Sequence, residues 1–205
     1  MAKTEQLKPQ DLGRYIDHTK LMFSEGEVPA EAITQLCNEA KDAGFYAVCV
    51  RPQHIQLAKE ILSGTSVQVA TVIGFPTAKA SLTEERQTPT VGGFLTETKV
   101  QEAKDVVALG VDELDVVLNV ERFKTSSDEE TVSELKQLVE VALDRPVKVI
   151  IETTLLNLDE IARATRLCAE ANVFMVKTCT GMVSGAPGAT VEHLSLIHIS
   201  EPTRR

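Results

Sequence analysis

Val173-Phe174-Met175-Val176-Lys177-Thr178-Cys179-Thr180-Gly181 is an apolar run that stops at a lysine. Four consecutive apolar residues closed by polar ones have the look of a strand buried on both faces. An ammonium group so close to a buried strand is costly unless it is paired or neutral, and a neutral lysine amine is a nucleophile toward carbonyl carbon. Taken alone, Lys177 reads as a strand-end lysine whose stem covers apolar surface while its amine reaches water. The remainder of the chain changes that reading.

Working back from this run, short apolar stretches recur at residues 15–19, 46–50, 67–73, 113–119 and 147–152, with 173–178 as the sixth. Amphipathic stretches lie between them. After Pro29, Ile33, Leu36, Cys37 and Ala40 fall on one helical face, and Gly44 can cap its end. Pro52 can open a second helix, with Ile55, Ala58, Ile61 and Leu62 inward and Gly64 after it. Ser127 and Glu130 have capping-box spacing ahead of Val132, Leu135, Leu138 and Val139. Asp159 is a candidate cap for a helix carrying Ile161, Ala164, Leu167 and Cys168.

A repeated strand-then-helix pattern means a parallel α/β sheet. The sheet is either open and doubly wound or closed into a (β/α)8 barrel. Thr19, Arg51, Asp115, Glu152 and Lys177 come from five different strands, most of them toward the C-terminal ends. Barrel enzymes collect their catalytic groups there. No glycine-rich dinucleotide fingerprint follows the first strand, so the barrel is the expected architecture. Six strands are legible, against eight strands and about 250 residues in a typical barrel. Between the third and fourth lies a polar Pro/Gly-bearing segment, about residues 83–96, that reads as an inserted loop.

Composition narrows the function. The 205 residues suffice for one domain with a sizeable core. A net charge of −9 argues against nucleic acid or an anionic membrane as the main partner. No apolar run approaches a membrane span. The polar first ten residues do not resemble a secretory signal. Cys37, Cys49, Cys168 and Cys179 are scattered, without a C-x-x-C pair or metal-finger spacing. Reduced thiols in a cytoplasmic, metal-free protein are the expectation.

For Lys177 to attack a carbonyl it must shed its proton. At the reference pKa only about 0.04% of a lysine is neutral at pH 7, and desolvation plus a neighbouring cation raises that fraction. Lys148 and Arg51 are the candidate cations. Asp115 sits in Glu113-Leu114-Asp115-Val116-Val117-Leu118-Asn119, where parity puts Glu113, Asp115, Val117 and Asn119 on one face. A carboxylate there is either salt-bridged structure or a proton-transfer group. Asp17, His18 and Thr19 form a polar cluster on the first strand, and Cys49 reads as a small lining residue. Glu152 suits substrate positioning better than nucleophilic attack.

Six blocks now carry a resemblance: Tyr15-Ile16-Asp17-His18-Thr19-Lys20-Leu21, Ala47-Val48-Cys49-Val50-Arg51-Pro52, Val72-Ile73-Gly74-Phe75-Pro76, Glu113-Leu114-Asp115-Val116-Val117, Lys148-Val149-Ile150-Ile151-Glu152-Thr153 and Val176-Lys177-Thr178-Cys179-Thr180-Gly181. In this order they resemble the deoxyribose-phosphate aldolase family over about residues 12–194, apart from the inserted loop. The resemblance implies a (β/α)8-barrel class I aldolase that needs no cofactor. It would interconvert 2-deoxy-D-ribose 5-phosphate with acetaldehyde and D-glyceraldehyde 3-phosphate, in deoxyribose catabolism. It implies Lys177 as the Schiff-base lysine and Asp115 as the proton-transfer group. Asp17, Thr19 and Cys49 would line the pocket, and Thr180 would belong to the substrate-phosphate region. The full-length parent is expected to be a homo-oligomer. A transaldolase-like or other Schiff-base phosphosugar lyase is the competing enzyme reading.

The chain also departs from the pattern. In a typical member Ser81-Leu82 would run almost directly into Glu97-Thr98-Lys99-Val100. The family's two further strands, with a second lysine and phosphate-binding glycines, are not seen. Residues 195–205, Ser195-Leu196-Ile197-His198-Ile199-Ser200-Glu201-Pro202-Thr203-Arg204-Arg205, resemble no family segment and look like translated adapter sequence. The expected organisation is therefore a partial barrel over residues 1–194 and an artefactual tail, with little or no activity in the chain as written.

Overall fold

A computed structural model describes residues 8–22, 26–76, 80–81 and 94–200. Most of the expected insertion, residues 83–93, lies outside them. The chain divides into two compact units, Met1–Thr71 with Ala108–Glu113, and Val72–Val107 with Leu114–Arg205.

In the first unit a 3-10 helix, Pro9–Tyr15, leads into β1 (Asp17–Lys20). Helix α1 (Ala30–Ala43) buries Ile33, Leu36, Cys37 and Ala40, the face read from the sequence. It ends at Gly44, whose φ of 65° suits glycine, and the next amide, of Phe45, returns to the Ala40 carbonyl. β2 (Ala47–Val50) follows, then a 3-10 turn at Pro52–His54, α2 (Ile55–Ile61) and β3 (Gln68–Ile73). Strands β1, β2 and β3 pair in parallel. Below β3, the Asp112 carboxylate accepts the Val69 amide at 2.8 Å and holds Lys59 at 2.8 Å.

The second unit carries β4 (Ala80–Ser81), α3 (Thr96–Ala108), β5 (Glu113–Val117), α4 (Val120–Thr125) and α5 (Asp128–Val141). Then come β6 (Val147–Ile150), a 3-10 turn at Thr153–Leu155, α6 (Leu158–Glu170), β7 (Met175–Lys177), β8 (Val183–Ser184) and α7 (Val191–Ser200). β5 pairs with β6 and β6 with β7, all parallel, while β4 and β8 form a separate two-residue pair. Every residue of β2, β5 and β6 is buried, as in a sheet covered on both faces.

The sheet order is β1-β2-β3-β5-β6-β7, strictly that of the chain. A doubly wound sheet reverses its order at a switch point, and this one does not. These are consecutive strands of an incomplete (β/α)8 barrel.

Several boundaries differ from the sequence reading. The first strand starts at Asp17 because a 3-10 helix ends at Tyr15. The fourth barrel strand stops at Val117, because Asn119 turns the chain by accepting the Arg122 amide and opening α4. The fifth stops at Ile150, and the sixth spans only Met175–Lys177. The capping box at Ser127 and Glu130 forms as read. α6, however, is capped by Asn157, not Asp159: Asn157 and Glu160 exchange both capping bonds, leaving Asp159 in the first turn. Helix α3 opens at Thr96, where the sequence reading ended its loop. Residues 195–200 lie in α7, with Ile197 buried.

Candidate active site

β5 is apolar except at Glu113 and Asp115, and its burial leaves Asp115 only 1% exposed. A carboxylate in that setting requires partners. The register supplies them. Asp115 lies beside Lys148 on β6, and Ile150, two residues on and therefore on the same face, lies beside Lys177 on β7. Three side chains thus converge on one face of three adjacent strands. The Lys177 ammonium donates a short hydrogen bond to Asp115 Oδ2. Lys148 Nζ stands 3.7 Å from Oδ1 of the same carboxylate. Exposure grades across the cluster: the Lys148 side chain is 4% exposed and that of Lys177 29%. Of the two amines, that of Lys177 is the one an incoming molecule can reach.

Of the two candidate cations, Lys148 stands in the same unit as Lys177 and faces the same carboxylate. Arg51 donates to the Leu21 carbonyl at 3.0 Å and contacts the Met22 sulfur. The register signal for Lys148 was present in the sequence, since it stands second in its strand as Asp115 stands third in the longer neighbouring strand.

Just past β6, Glu152 is fully buried with φ 55° and ψ 65°. This left-handed conformation costs a non-glycine residue about 1–3 kcal/mol. Its carboxylate accepts the Thr180 amide at 3.0 Å, the Thr180 hydroxyl, and the Thr154 hydroxyl at 2.8 Å. The family resemblance places Thr180 near the substrate phosphate. In the structure both of its donors are given to Glu152, and its hydroxyl oxygen accepts the Met182 amide at 3.0 Å. Thr154 was missed in the sequence because only the turn after Glu152 brings its hydroxyl back.

The remaining expected residues lie in the first unit. Thr19 is the register partner of Cys49, and Asp17 precedes Thr19 on the same face. Thr19 donates its hydroxyl to the Asp17 carbonyl at 2.9 Å, and Cys49 is buried. His18 points to the opposite face, where its ring meets Glu39 at 2.8 Å and Phe45 at a centroid distance of 5.0 Å. Among the described residues, no group of three or more His, Cys, Asp or Glu side chains is arranged to hold a metal ion.

The second unit contains another lysine–carboxylate cluster. Lys99 of α3 is fully buried and donates to the Val117 carbonyl at 2.8 Å and to Glu134 of α5 at 3.0 Å. Thr96 and Arg122 complete the cluster around Glu134. Burial holds the Lys99 amine below the ordinary lysine range, with Glu134 pulling the other way.

The model of the DeoC/LacD family aldolases matches residues 11–196. The chain belongs to that family. Deoxyribose-phosphate aldolase from Alkaliphilus oremlandii is 39% identical over 188 residues, which cover 91% of this chain and 76% of that protein. A crystal structure of a putative deoxyribose-phosphate aldolase from Coccidioides immitis superposes with a TM-score of 0.82 at 34% identity, over 95% of this chain and 69% of that one. The tetrameric deoxyribose phosphate aldolase of Aeropyrum pernix gives 0.74 at 26% identity, over 94% and 75%. The family resemblance and the barrel class read from the sequence are both borne out, and the protein is a DeoC-type aldolase.

Proposed function

We propose that this aldolase reversibly cleaves 2-deoxy-D-ribose 5-phosphate to acetaldehyde and D-glyceraldehyde 3-phosphate through an iminium on Lys177. The observation that carries the reading is the convergence of Lys177 and Lys148 on the buried Asp115 carboxylate. Two amines share one carboxylate. Lys177, the more exposed amine, is the nucleophile.

The amine adds to C1 of the open-chain sugar, and loss of water gives the iminium. Asp115, directly or through a water, accepts the C3 hydroxyl proton. The C2–C3 bond breaks, its electron pair passes into the iminium as an enamine, and glyceraldehyde 3-phosphate leaves. The same acid returns a proton to C2, and water hydrolyses the new iminium to acetaldehyde and the amine. Lys148 keeps the Asp115 carboxylate in place between steps. Asp17, Thr19 and Cys49 enter the proposal as substrate-contacting residues of the first unit.

The setting proposed for this activity is cytoplasmic deoxyribose breakdown, in a homo-oligomer. The test is reduction with borohydride in the presence of acetaldehyde, followed by peptide mass analysis. The expected product is a two-carbon adduct on Lys177. An unmodified Lys177, or an adduct only on surface lysines, would remove the proposal.

A further inference from the structure

Glu152 stands apart from the groups that the proposed reaction uses. It is charged, fully buried and held in a left-handed backbone conformation without being glycine. Such a combination persists only where the surroundings impose it, and at functional sites the imposed geometry is commonly part of the mechanism. One oxygen of its carboxylate is bound to Thr180, in the turn that leaves β7, and the other to Thr154, in the turn that follows β6.

That turn is tied to the end of β6 by a series of bonds. The Ile151 amide donates to the Lys177 carbonyl at 3.0 Å, and the Thr153 amide to the Thr178 carbonyl at 2.7 Å. Between them Glu152 reaches forward with its side chain. One oxygen accepts both the amide and the hydroxyl of Thr180. The other accepts the Thr154 hydroxyl. Thr180 in turn orients the Met182 amide, and Gly181 between them has φ 72°. An extended backbone at residue 152 would carry the carboxylate away from Thr180. The unusual backbone and the clasp are therefore one feature.

We propose that Glu152 is a positioning residue for Lys177: its carboxylate clasps Thr180, and this fixes the backbone from which the amine is presented toward Asp115. The proposal rests on the reading of Lys177 as the imine-forming residue. Its chemistry is specific about what the side chain must be. The clasp needs one acceptor toward Thr180 and tolerates either a donor or an acceptor toward Thr154, whose hydroxyl can rotate. A glutamine, with its oxygen toward Thr180 and its amide group toward Thr154, preserves the geometry. A glycine accommodates the backbone conformation at least as well but provides no clasp.

The experiment pairs Glu152→Gln with Glu152→Gly in the full chain and reads two quantities. Hydrogen exchange across residues 178–182 reports the clasp without reference to any chemistry. The rate of borohydride-trapped acetaldehyde adduct on Lys177 reports the lysine. E152G should exchange about tenfold faster in that segment and trap about tenfold to a hundredfold more slowly, whereas E152Q stays within about twofold of the parent in both. Rescue by glutamine is what a merely space-filling role could not distinguish from glycine's loss without also moving exchange throughout β6. Should E152G fail to fold, T180V removes the hydroxyl half of the clasp and T180S restores it, with the same ordering expected. Unchanged exchange in E152G or T180V overturns the proposal, as does faster exchange with unaltered trapping. If the parent itself forms no adduct, the imine reading has failed, and the exchange arm alone decides whether Glu152 holds the segment.

Discussion

Lys99 and Lys177 of the second unit each sit against a buried carboxylate, and of these two only Lys177 is open to solvent. Lys99 is 0% exposed, spends its donors on the Val117 carbonyl and Glu134, and has an amine shifted toward neutrality by burial. Lys177 is 29% exposed at a strand end and shares Asp115 with Lys148. Judged by desolvation alone, Lys99 would be the better nucleophile. It is fully buried against the end of β5 and Glu134, however, and no carbonyl carbon can approach it. A nucleophile has to be reachable as well as activated, and the strand end provides the access that the helix layer denies.

The sharpest way to break this comparison is Lys177→Leu. Adduct formation with acetaldehyde should disappear from the native protein, with Lys99 remaining unmodified. An adduct on Lys99 in the folded chain would show that burial does not protect it. Next in size is Asp115→Asn, which should lower retro-aldol turnover by about 10²–10⁴-fold by removing the proton acceptor. Acetaldehyde trapping on Lys177 should survive it, because imine formation does not require scission. Equal loss of both would make Asp115 a structural partner of Lys177 only.

Lys99→Met addresses the other cluster. It leaves Glu134 buried without its closest cation, and breaking such a pair costs about 3–5 kcal/mol. The urea midpoint should fall accordingly while trapping on Lys177 persists in the folded fraction. The smallest effect concerns Cys37, which burial pushes up to about 11. A thiol with a raised folded-state pKa contributes stability that is complete below its unfolded pKa near 9 and is lost as pH rises to about 11. The loss across that window amounts to about 2 kcal/mol. Unfolding measured from pH 8 to 11 should show this decline in the parent and a shallower one in Cys37→Ala.

Legibility in the sequence followed the physics that sequence expresses. The order of strands and helices was readable, since burial on both faces writes continuous apolar runs and α1 shows its buried face directly. Lys177 and Asp115 stood out because charge inside an apolar strand is conspicuous. Element ends were harder. Asn119 looks like one more strand residue by parity, and only its bond to the Arg122 amide shows that it begins a helix. Asp159 and Asn157 are both good caps by type, and the reciprocal bond from Glu160 decides for Asn157. Thr180 was legible only by motif position; that its amide and hydroxyl both bond to Glu152 depends on the turn after β6, which the sequence pattern does not show.

Gly74 illustrates how tightly the helix-side cluster constrains the chain. Its φ is 63°, its amide donates to Glu102 at 2.8 Å, and a Cβ there would stand 3.0 Å from the Lys99 Cε. Positions 74 and 99 are therefore coupled for anyone who diversifies this aldolase. A library that varies residue 74 with Lys99 intact should return almost nothing but the parent. Trimming residue 99 relieves the crowding but not the sign of the backbone angle, so the pair offers few joint solutions, and engineering effort is better directed elsewhere.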